Sequence, residues 1–409
     1  MNHSPQRILT CDVIIIGAGP VGVTVGYGLA KAGLTVALVD SLSLSAMLER
    51  DFDGRTSAIS HGSHLLLKKL DLWEALEEYT QPILDIRISD KGASNSLDYH
   101  HGEVGAHPMG YIIENPLFRR MLYTRASTLP QLSWHAPDTL AAFERSSKGV
   151  RAELKSGTTI QARLCIGADG RNSHMRDLAA IPVTRWAYSQ AAIVCVVEHE
   201  SPHYGMAFEH FMPSGPLAFL PMKGNRSSVV WSEQKEVIPL RMRLCESDFG
   251  LLLHRKFGSI LGDIQLASKR WTYPLEALMA HRYYDQRLAL VGDAAHVIHP
   301  IAGQGLNLGL RDAAALVDVL LDAHRLGLDI GSLTVLERYQ RGRRLDALSL
   351  LSVTDGLNRL FSNTLPPLRF LRSAGLGILQ QMPWAKRFLM RRAMGMGGVI
   401  APLKAGKAL

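Results

Sequence analysis

The chain of 409 residues is poor in cysteine and has no long apolar run. Its four cysteines, Cys11, Cys165, Cys195 and Cys245, are widely spaced and lie mostly in apolar segments. This predicts buried thiols in a reducing compartment and argues against a disulfide framework. No segment reaches the roughly 20 apolar residues of a membrane-spanning helix. The first ten residues have no apolar core, so we expect no signal peptide.

Several chemical motifs are also missing from the sequence. It contains no helix-turn-helix pattern and no sheet motif with interleaved aromatic residues, so we expect no nucleic-acid partner. It has neither a Ser-His-Asp arrangement nor a cluster of metal-ligating residues, and we therefore predict no metal site. A second GxGxxG motif is absent, so no separate NAD(P)H domain is expected.

Basic residues are concentrated at the C-terminal end. From Arg338 to Leu409 the chain has 13 Lys and Arg against 2 acidic residues, although the formal net charge of the whole chain is only +8. This asymmetry favours contact with anionic lipid. An amphipathic helix at the membrane surface is predicted, with a helix packed on the protein or a docking surface for a partner protein as alternatives. Its residues are Trp384, Phe388 and Leu389, interleaved with Lys386, Arg387, Arg391 and Arg392.

A glycine-rich motif near the N-terminus predicts a nucleotide site. Cys11–Ile16 is a run of mostly β-branched residues that predicts a buried strand, and it leads directly into Gly17-Ala18-Gly19-Pro20-Val21-Gly22. A helical segment to Lys31 and a second strand, Leu34–Val39, follow, and the strand ends in Asp40. Strand, GxGxxG, helix and an acid about 20 residues on form the dinucleotide fingerprint, in which the pyrophosphate lies at the helix N-terminus.

A second glycine-rich stretch runs from Arg287 to Asp312. Its short apolar strand, Leu288–Val291, is followed by Gly292 and Asp293, then by Pro300 and by three glycines at 303, 305 and 309, with a helical pattern after Asp312. This layout directs backbone N–H groups at an anion or a flat, electron-rich ring. Asp293 could accept hydrogen bonds from ligand hydroxyls. The pattern predicts a second part of one cofactor site.

The segments between the two motifs predict a mixed fold. A helix is expected from Arg55-Thr56 to about Leu70, followed by short strands and by the helix that begins at Asn115-Pro116. Alternating apolar runs between Tyr188 and Tyr273 predict a twisted antiparallel sheet, interrupted by a helix near Glu246–Phe257. We expect this stretch to be an inserted substrate domain, with the nucleotide fold resuming at Arg287.

Three motifs, Gly17–Gly22, Gly167–Arg176 (GADGRNSHMR) and Gly292–Asp312, together resemble the flavoprotein aromatic hydroxylases of the para-hydroxybenzoate hydroxylase type. The segment His299–Asp312 is similar to the signature of the ubiquinone-biosynthesis hydroxylases, the UbiH/VisC group. The resemblance implies an α/β fold, with a Rossmann-like FAD-binding domain of the glutathione-reductase type, an inserted mixed or antiparallel-sheet substrate domain and a helical C-terminus. The implied FAD-binding domain comprises 1–80, 111–180 and 276–345, the substrate domain 81–110 and 181–275, and the basic helical segment 346–409.

The resemblance also implies residues for an FAD site. Gly17, Gly19 and Gly22 would hold the pyrophosphate, and Asp40, where the family commonly has Glu, the adenosine ribose. Contacts with other parts of FAD, and for Asp169 also with NAD(P)H, are implied for Arg55, Arg119, Asp169, Gly292, Asp293 and Gly303. The backbone of Gly305, Leu306 and Asn307 would face the isoalloxazine, and Pro300 and Gly305 would lie at the site of oxygen transfer. His296 and His299 are expected to be structural rather than catalytic bases.

The implied activity is that of an FAD-dependent monooxygenase. It would hydroxylate the aromatic ring of a polyprenyl phenol in ubiquinone biosynthesis through a flavin C4a-hydroperoxide, using dioxygen and electrons from NAD(P)H or a reductase. The expected location is cytoplasmic and peripheral to the inner membrane, with contacts to other ubiquinone-biosynthesis proteins. Two alternatives remain open: a flavin oxidoreductase of the same fold that acts on another aromatic or lipid, and a FAD-stabilised scaffold without catalysis.

Overall fold

A computed structural model describes residues 8–49, 51–90, 96–362, 375 and 377–396. The predicted basic segment 346–409 is therefore described only in part, since 363–374, 376 and 397–409 lie outside these ranges.

The strands fall into three sheets. In chain order they are β1 Ile8–Ile16, β2 Val36–Val39, β3 Thr56–Ser60, β4 Gln81–Ile83, β5 Asp85–Asp90, β6 Ser96–His100, β7 Gly110–Glu114, β8 Leu132–His135, β9 Leu140–Arg145, β10 Val150–Leu154, β11 Thr159–Gly167, β12 Val183–His199, β13 Met206–Met212, β14 Gly215–Met222, β15 Arg226–Gln234, β16 Ile264–Leu266, β17 Trp271–Ala280, β18 Tyr284–Asp285, β19 Leu288–Leu290 and β20 His296–Val297.

The helices cover the sheets and form the C-terminal end of the described chain. They are α1 Pro20–Lys31, α2 Leu44–Leu48, α3 His61–Lys69, α4 Glu74–Glu77, α5 Asn115–Ala126, α6 His174–Leu178, α7 Ile238–Arg243, α8 Glu246–Phe257, α9 Gln304–Arg325, α10 Leu333–Phe361 and the C-terminal helix Pro383–Ala393. Short 3₁₀ turns occupy His101–Glu103, Gly292–Ala294 and Ile301–Gly303.

The first sheet is built around parallel strands. Its order is β18-β19-β11-β1-β2-β8, and β10 and β9 extend it from β11. The pairs β19-β11, β11-β1, β1-β2 and β2-β8 are parallel. Val13, Ile14 and Ile15 of β1 are fully buried, as expected for a central strand that has helices on both faces. Both predicted glycine motifs follow strands of this sheet, β1 and β19.

The second sheet is mostly antiparallel. Its order is β20-β17-β12-β15-β14-β13-β5-β6, with β16 paired to β12. One face packs on α8 through a cluster that includes Phe219, Trp231 and Phe249. A third sheet, β3-β7-β4, completes the strands. The predicted fold class is confirmed, whereas the domain boundaries stay a prediction.

Two helix predictions are wrong in their starting points. Thr56–Ser60 forms β3, which pairs with β7, instead of opening a helix at Arg55. The helix begins only at His61, where the Ser60 hydroxyl caps it by accepting from the backbone N–H of Ser63. Helix α9 begins at Gln304, well before Asp312. The first error arises because β7 and the side chain of Asn307, both distant in sequence, bind the backbone of Thr56–Ser60.

The C-terminal helix combines two surfaces. Met390 and Met394 are buried against Tyr99, Met109 and Phe361 of the body of the protein. Lys386, predicted to belong to the basic exposed face, is instead buried, and its Nζ lies 2.6 Å from Glu103 Oε1. Burial of an ammonium group requires such a partner. The other predicted residues of this helix are exposed: Trp384, Arg387, Phe388, Leu389, Arg391 and Arg392.

Among the described helices, none is both long and apolar enough to cross a membrane. Within the same ranges, His, Cys, Asp and Glu side chains form no group of three or more that could hold a metal ion.

Candidate functional site

The first glycine loop leaves the N-terminus of α1 open. Gly17 has φ +105°, and a Cβ there would lie 2.4 Å from the carbonyl oxygen of Ala168, directly after the neighbouring strand β11. A Cβ at Gly22 would lie 2.1 Å from Gly17 O. Gly19 is the N-cap of α1 without a side-chain hydrogen bond, and a Cβ there would meet nothing within 4 Å. The uncapped N–H groups of α1 therefore face free space, as an anion site requires.

Asp40 lies at the end of β2 beside this loop. Its Oδ2 accepts the backbone N–H of Ala18 at 2.8 Å, and its Oδ1 accepts that of Leu42 at 2.9 Å. The carboxylate thus ties the glycine loop to the adjoining strand. Each oxygen retains a further acceptor position, and the predicted bond to a ribose hydroxyl stays a prediction.

The second glycine stretch leaves another helix N-terminus open. Gly303 is the N-cap of α9 with φ +61°, a left-handed conformation that suits glycine, and no side chain caps the helix. A Cβ at Gly305 would meet nothing within 4 Å. The first turn of this 22-residue helix therefore presents its backbone N–H groups, including those of Leu306 and Asn307, without side-chain acceptors.

Val21 brings the two open helix ends together. It lies in the first turn of α1, and its Cγ2 would be 2.7 Å from a Cβ at Gly309 and 3.3 Å from one at Gly292. Only glycine at these positions permits α9 and the turn after β19 to approach α1 so closely. The predicted sites at the two ends of the sequence thus adjoin in space.

Asn307 fixes the start of α9 to β3. Its Nδ2 donates to Ala58 O at 2.7 Å and to Gly303 O at 3.1 Å, and its Oδ1 accepts the Ser60 N–H at 2.9 Å. The side chain is fully committed within the protein, so only its backbone is available to a ligand, in keeping with the predicted isoalloxazine contact.

A buried charged cluster anchors the other side of α9. Asp312 Oδ2 lies 2.6 Å from His296 Nε2, and Asp312 Oδ1 accepts from Arg343 Nε at 2.8 Å. Burial raises the pKa of Asp312, but His296 and Arg343 outweigh it and lower the pKa to about 2. The backbone N–H of Gly292 also donates to Asp312. His296 therefore belongs to a structural network that holds the turn against α9.

Asp293 stands at the turn between the two helix ends. Its side chain is exposed, yet the crowding of protein atoms around it raises its pKa, against the opposing effects of Arg171 and Arg55. Exposure combined with crowding describes a carboxylate at the bottom of a groove. Such a group can accept hydrogen bonds from ligand hydroxyls, as predicted.

Arg55 and Arg119 both lie close enough to Asp53 to affect its charge. Arg55 Nε donates to Asp53 Oδ2 at 2.9 Å, and its guanidinium carbon lies 5.0 Å from the centre of the Tyr273 ring. Burial raises the pKa of Asp53, but Arg55 and, more weakly, Arg119 lower it below its ordinary value. Arg119 itself is buried on α5. The two guanidinium groups are of the kind that binds phosphate.

Asp169 is bound within its own loop. Its Oδ1 accepts from the Ser173 hydroxyl at 2.5 Å, and its Oδ2 accepts the Met175 N–H at 3.0 Å. The adjacent Arg171 places Nη1 3.3 Å from Glu276 Oε1. Asp169 thus shapes the loop that presents Arg171. Its predicted contacts with FAD and NAD(P)H stay predictions.

A cavity of about 240 Å³ separates these groups from the second sheet. A cavity of about 150 Å³ is enough to bind benzene, so this one accommodates a substituted ring. Its polar lining includes Arg55, Arg171, Tyr273 and Glu276, and its wall also includes Pro300 and Gly303 of the loop before α9. Its apolar lining comprises Ala58, Ala192, Val194, Pro216, Ala218, Leu220, Val230, Pro274, Leu275, Val297, Ile298 and Ile301.

Two polar residues of this cavity matter for chemistry. His299 is fully buried, and burial lowers its pKa to about 4, so it is neutral at physiological pH. Glu209, which the sequence reasoning missed, lines the cavity from β13, and burial raises its pKa to about 7. A single acid in the apolar run Ala207–Phe211 was the available signal, but the face it occupies depends on the sheet.

The donor set fits FAD. Two uncapped helix N-termini suit the pyrophosphate and the electron-rich edge of an isoalloxazine, Asp40 and Asp293 can accept from hydroxyls, and a ring-sized cavity adjoins the second helix. When bound, the flavin supplies the redox chemistry that activates dioxygen. The chain contributes the position, the exclusion of water and the charges around it.

Comparisons with known proteins agree with this chemistry. The FAD binding domain family matches residues 10–351. The chain is 46% identical over 384 residues to the ubiquinone hydroxylase UbiL of Rhodospirillum rubrum, covering 94% of this chain and 89% of that one. It is 34% identical to the 3-demethoxyubiquinol 3-hydroxylase of Escherichia coli, covering 94% of this chain and 98% of the relative.

Solved structures agree on the fold. The p-nitrophenol 4-monooxygenase PnpA of Pseudomonas putida superposes with a TM-score of 0.79 at 18% identity, over 96% of this chain and 99% of that one. The protein thus belongs to the FAD binding domain family and, within it, to the FAD-dependent hydroxylases of ubiquinone biosynthesis.

Proposed function

We propose that this protein hydroxylates the aromatic ring of a polyprenyl phenol in ubiquinone biosynthesis, with dioxygen and with electrons from NAD(P)H or a reductase. The observation that carries the proposal is the ring-sized apolar cavity that reaches from the second sheet to Pro300 and Gly303, directly before the open N-terminus of α9. A phenol ring in this cavity would lie against Pro300 and Gly303, directly before the backbone that the flavin ring is predicted to face. The names of the relatives supply the substrate class.

The roles of the chain's own residues follow from the site. Gly17, Gly19 and Gly22 bind the pyrophosphate at α1, and the backbone of Gly305, Leu306 and Asn307 orients the flavin ring. The groove also contains other proposed contacts with FAD, which are Asp40, Arg55, Arg119, Asp169, Gly292, Asp293 and Gly303. Pro300 and Gly305 position the ring carbon for oxygen transfer, and the apolar lining excludes water, which limits side reactions of the activated oxygen with solvent.

The decisive experiment is deletion of the gene followed by analysis of the lipid quinones. We expect a polyprenyl intermediate that lacks one ring hydroxyl to accumulate, and the purified FAD-loaded protein to convert it while consuming oxygen and reductant. Accumulation of the intermediate without any oxygen consumption by the protein would instead support the scaffold alternative. Normal quinone content would contradict the proposal.

We further propose that the protein works on the membrane surface through its C-terminal helix. Trp384 and Phe388 are 68% and 56% exposed, and they are flanked by the exposed Arg387, Arg391 and Arg392. Exposed aromatic side chains beside arginines are typical of helices that lie in the lipid interface. Each basic residue contributes about 1 kcal/mol near an anionic surface, and salt screens this contribution. Other proteins of the pathway could bind the same face.

Flotation with anionic and neutral liposomes tests this attachment. We expect the wild type to float with anionic liposomes at low salt. The single variant Phe388→Ser and the double variant Arg387→Glu/Arg391→Glu should remain in the unbound fraction. Leu251→Ser is the matched control, because Leu251 is 57% exposed on α8, in another part of the protein. A wild type that ignores anionic liposomes would rule out direct lipid binding, and a partner protein would then have to deliver the substrate.

A further inference from the structure

Glu209 occupies an unusual position on the floor of the ring cavity. Strand pairing aligns it with Ala218 of β14, then Val230 of β15, then Val194 of β12, and all four line the cavity. Strands lie about 4.8 Å apart, so Glu209 stands roughly 14 Å from Val194, across the floor. It is the only carboxyl in this otherwise apolar row.

The side chains on either side of Glu209 point away from the cavity. Successive residues of a strand alternate between faces, and Phe208 and His210 both make edge-to-face contacts with Phe257 of α8 on the far side of the sheet. The alternation of β13 therefore directs Glu209 to the cavity.

Glu209 has no protein partner in the part of the chain that the structure describes. Neither a hydrogen bond nor an ion pair engages its carboxylate there. Glu233 of the same sheet differs, since it is buried near Arg241 at 3.7 Å and accepts from the Gln234 N–H. Glu209 is half-buried. A carboxylate in that position that served only the fold would be expected to have such partners, because it is costly to remove a charge from water without a partner.

The surroundings of Glu209 place its pKa near neutral pH. Burial alone raises its pKa to about 7, with no contribution from a charged neighbour. Ile88 and Ala218 are its cross-strand neighbours. The charged and titratable groups that face it from the other cavity walls are Arg55, Arg171, Tyr273, Glu276 and His299. Arg55 and Arg171 are already paired, with Asp53 and Glu276 respectively.

We propose that Glu209 is a catalytic residue that binds the phenolic hydroxyl of the substrate and accepts its proton. This inference rests on the proposed function and deepens it. The O–H bond breaks, the proton moves to the Glu209 carboxylate, and the electron pair stays on the phenolate oxygen. The phenolate increases the electron density of the ring. One atom of dioxygen then enters the ring and the other leaves as water, with two electrons from the reduced nicotinamide or reductase and two protons from that donor and solvent. The proton held by Glu209 returns to the phenolate oxygen of the product. An acid that titrates near the working pH suits this proton transfer.

Calorimetric titration of the FAD-loaded protein with 2-methoxyphenol tests the binding half of the proposal. The phenol hydroxyl donates more strongly to a carboxylate than to a carboxylic acid, so wild-type affinity should tighten about fivefold between pH 5.5 and pH 8.5. Glu209→Gln has nearly the same shape but cannot ionise, and its affinity should not change with pH. Glu198→Gln, on the exposed end of β12 outside the cavity, should behave as wild type.

Turnover tests the catalytic half with a short-chain prenyl phenol. Glu209→Gln should keep its FAD and form hydroxylated product roughly 10²-fold more slowly. It should also lose the rise of kcat/KM through pH 7, whereas Glu209→Asp should restore part of the rate and the pH dependence. A Glu209→Gln protein with wild-type pH dependence of both binding and turnover would overturn the proposal.

The two proposals fail in different ways. A wild type that hydroxylates no phenol, yet binds 2-methoxyphenol with a pH dependence that Glu209→Gln abolishes, would contradict the proposed function and still support Glu209 as the phenol-binding group. If Glu209→Gln fails to retain FAD, the Glu209→Asp protein becomes the test. In that case, wild-type pH dependence of phenol binding and turnover at reduced rate supports the proposal, and pH-independent binding contradicts it.

Discussion

The two helix N-termini of the cofactor groove are held by different kinds of interaction. At α1, the glycine loop packs directly against neighbouring backbone. This close approach is possible because Gly17 and Gly22 have no side chain. At α9, side chains hold the helix in place: Asn307 forms a hydrogen bond to β3, and Asp312 binds His296 and Arg343. Each arrangement leaves its helix end uncapped and open to a ligand. A ligand site of one kind can thus be built by steric exclusion at one end and by a buried charge network at the other.

The largest effect should come from breaking the network behind α9. Arg343→Met leaves the buried Asp312 without its arginine partner, and loss of one member of a buried pair costs about 3–5 kcal/mol. We expect this loss in the free energy of denaturant unfolding, together with weaker FAD retention. Arg341→Met is the control, because Arg341 pairs with Glu337 on the exposed surface, where such pairs contribute about 0–1 kcal/mol. Equal stability of the two variants would contradict the role of the network.

Asp293→Ala separates cofactor binding from folding. The exposed carboxylate bonds to no structural partner in the described ranges, so the unfolding midpoint of the apoprotein should not fall. Each lost charge-assisted hydrogen bond costs about 1.5–3 kcal/mol, which predicts FAD binding weaker by about tenfold or more. Asp177→Ala, on the exposed surface of α6, serves as the control. Unchanged flavin content in Asp293→Ala would show that the Asp293 carboxylate does not bind FAD.

Gly22→Ala tests the steric mechanism at α1. An added Cβ would lie 2.1 Å from Gly17 O, and the backbone must shift to relieve the overlap. Overpacking of this kind costs about 1–3 kcal/mol. The matched change Gly19→Ala meets nothing within 4 Å and should leave the stability of the apoprotein nearly unchanged. Chemical unfolding of the two apoproteins compares them directly, and equal midpoints would refute the close approach.

The smallest effect concerns the pH dependence of stability at Glu209. Its folded pKa, about 7, lies above the ordinary 4.5, so its contribution to stability is complete below pH 4.5 and is lost as the pH rises through 7. Glu209→Gln should therefore melt about 1–2 °C above wild type at pH 8 and equally at pH 4. A melting temperature that differs by the same amount at both pH values would mean that Glu209 does not titrate in this range.

The same contrast explains what the sequence could predict. The motif at α1 lies within one short segment, so Gly17, Gly19, Gly22 and the acid at the end of β2 could be predicted from their spacing, and the structure places them together. The network at α9 is not local. Arg343 follows Asp312 by 31 residues, and nothing in the motif indicates that pairing.

One of the two wrong helix boundaries has the same non-local origin. Thr56–Ser60 forms a strand because β7 and the side chain of Asn307, far along the chain, bind its backbone. The early start of α9 depends on the left-handed conformation of Gly303. Glu209 escaped prediction because its orientation follows from the order β15-β14-β13-β5, which combines antiparallel and parallel pairs.

FAD titration of wild type, Gly19→Val and Gly305→Val tests most directly whether the two helix ends form one cofactor site. Neither glycine has protein atoms where a Cβ would stand, so both variants should fold, and each added side chain should meet only the ligand. We predict one FAD per wild-type chain and binding that is roughly tenfold to hundredfold weaker in each variant. Unchanged FAD affinity in either variant, or two FAD molecules per chain, would contradict a single site built from both ends of the sequence.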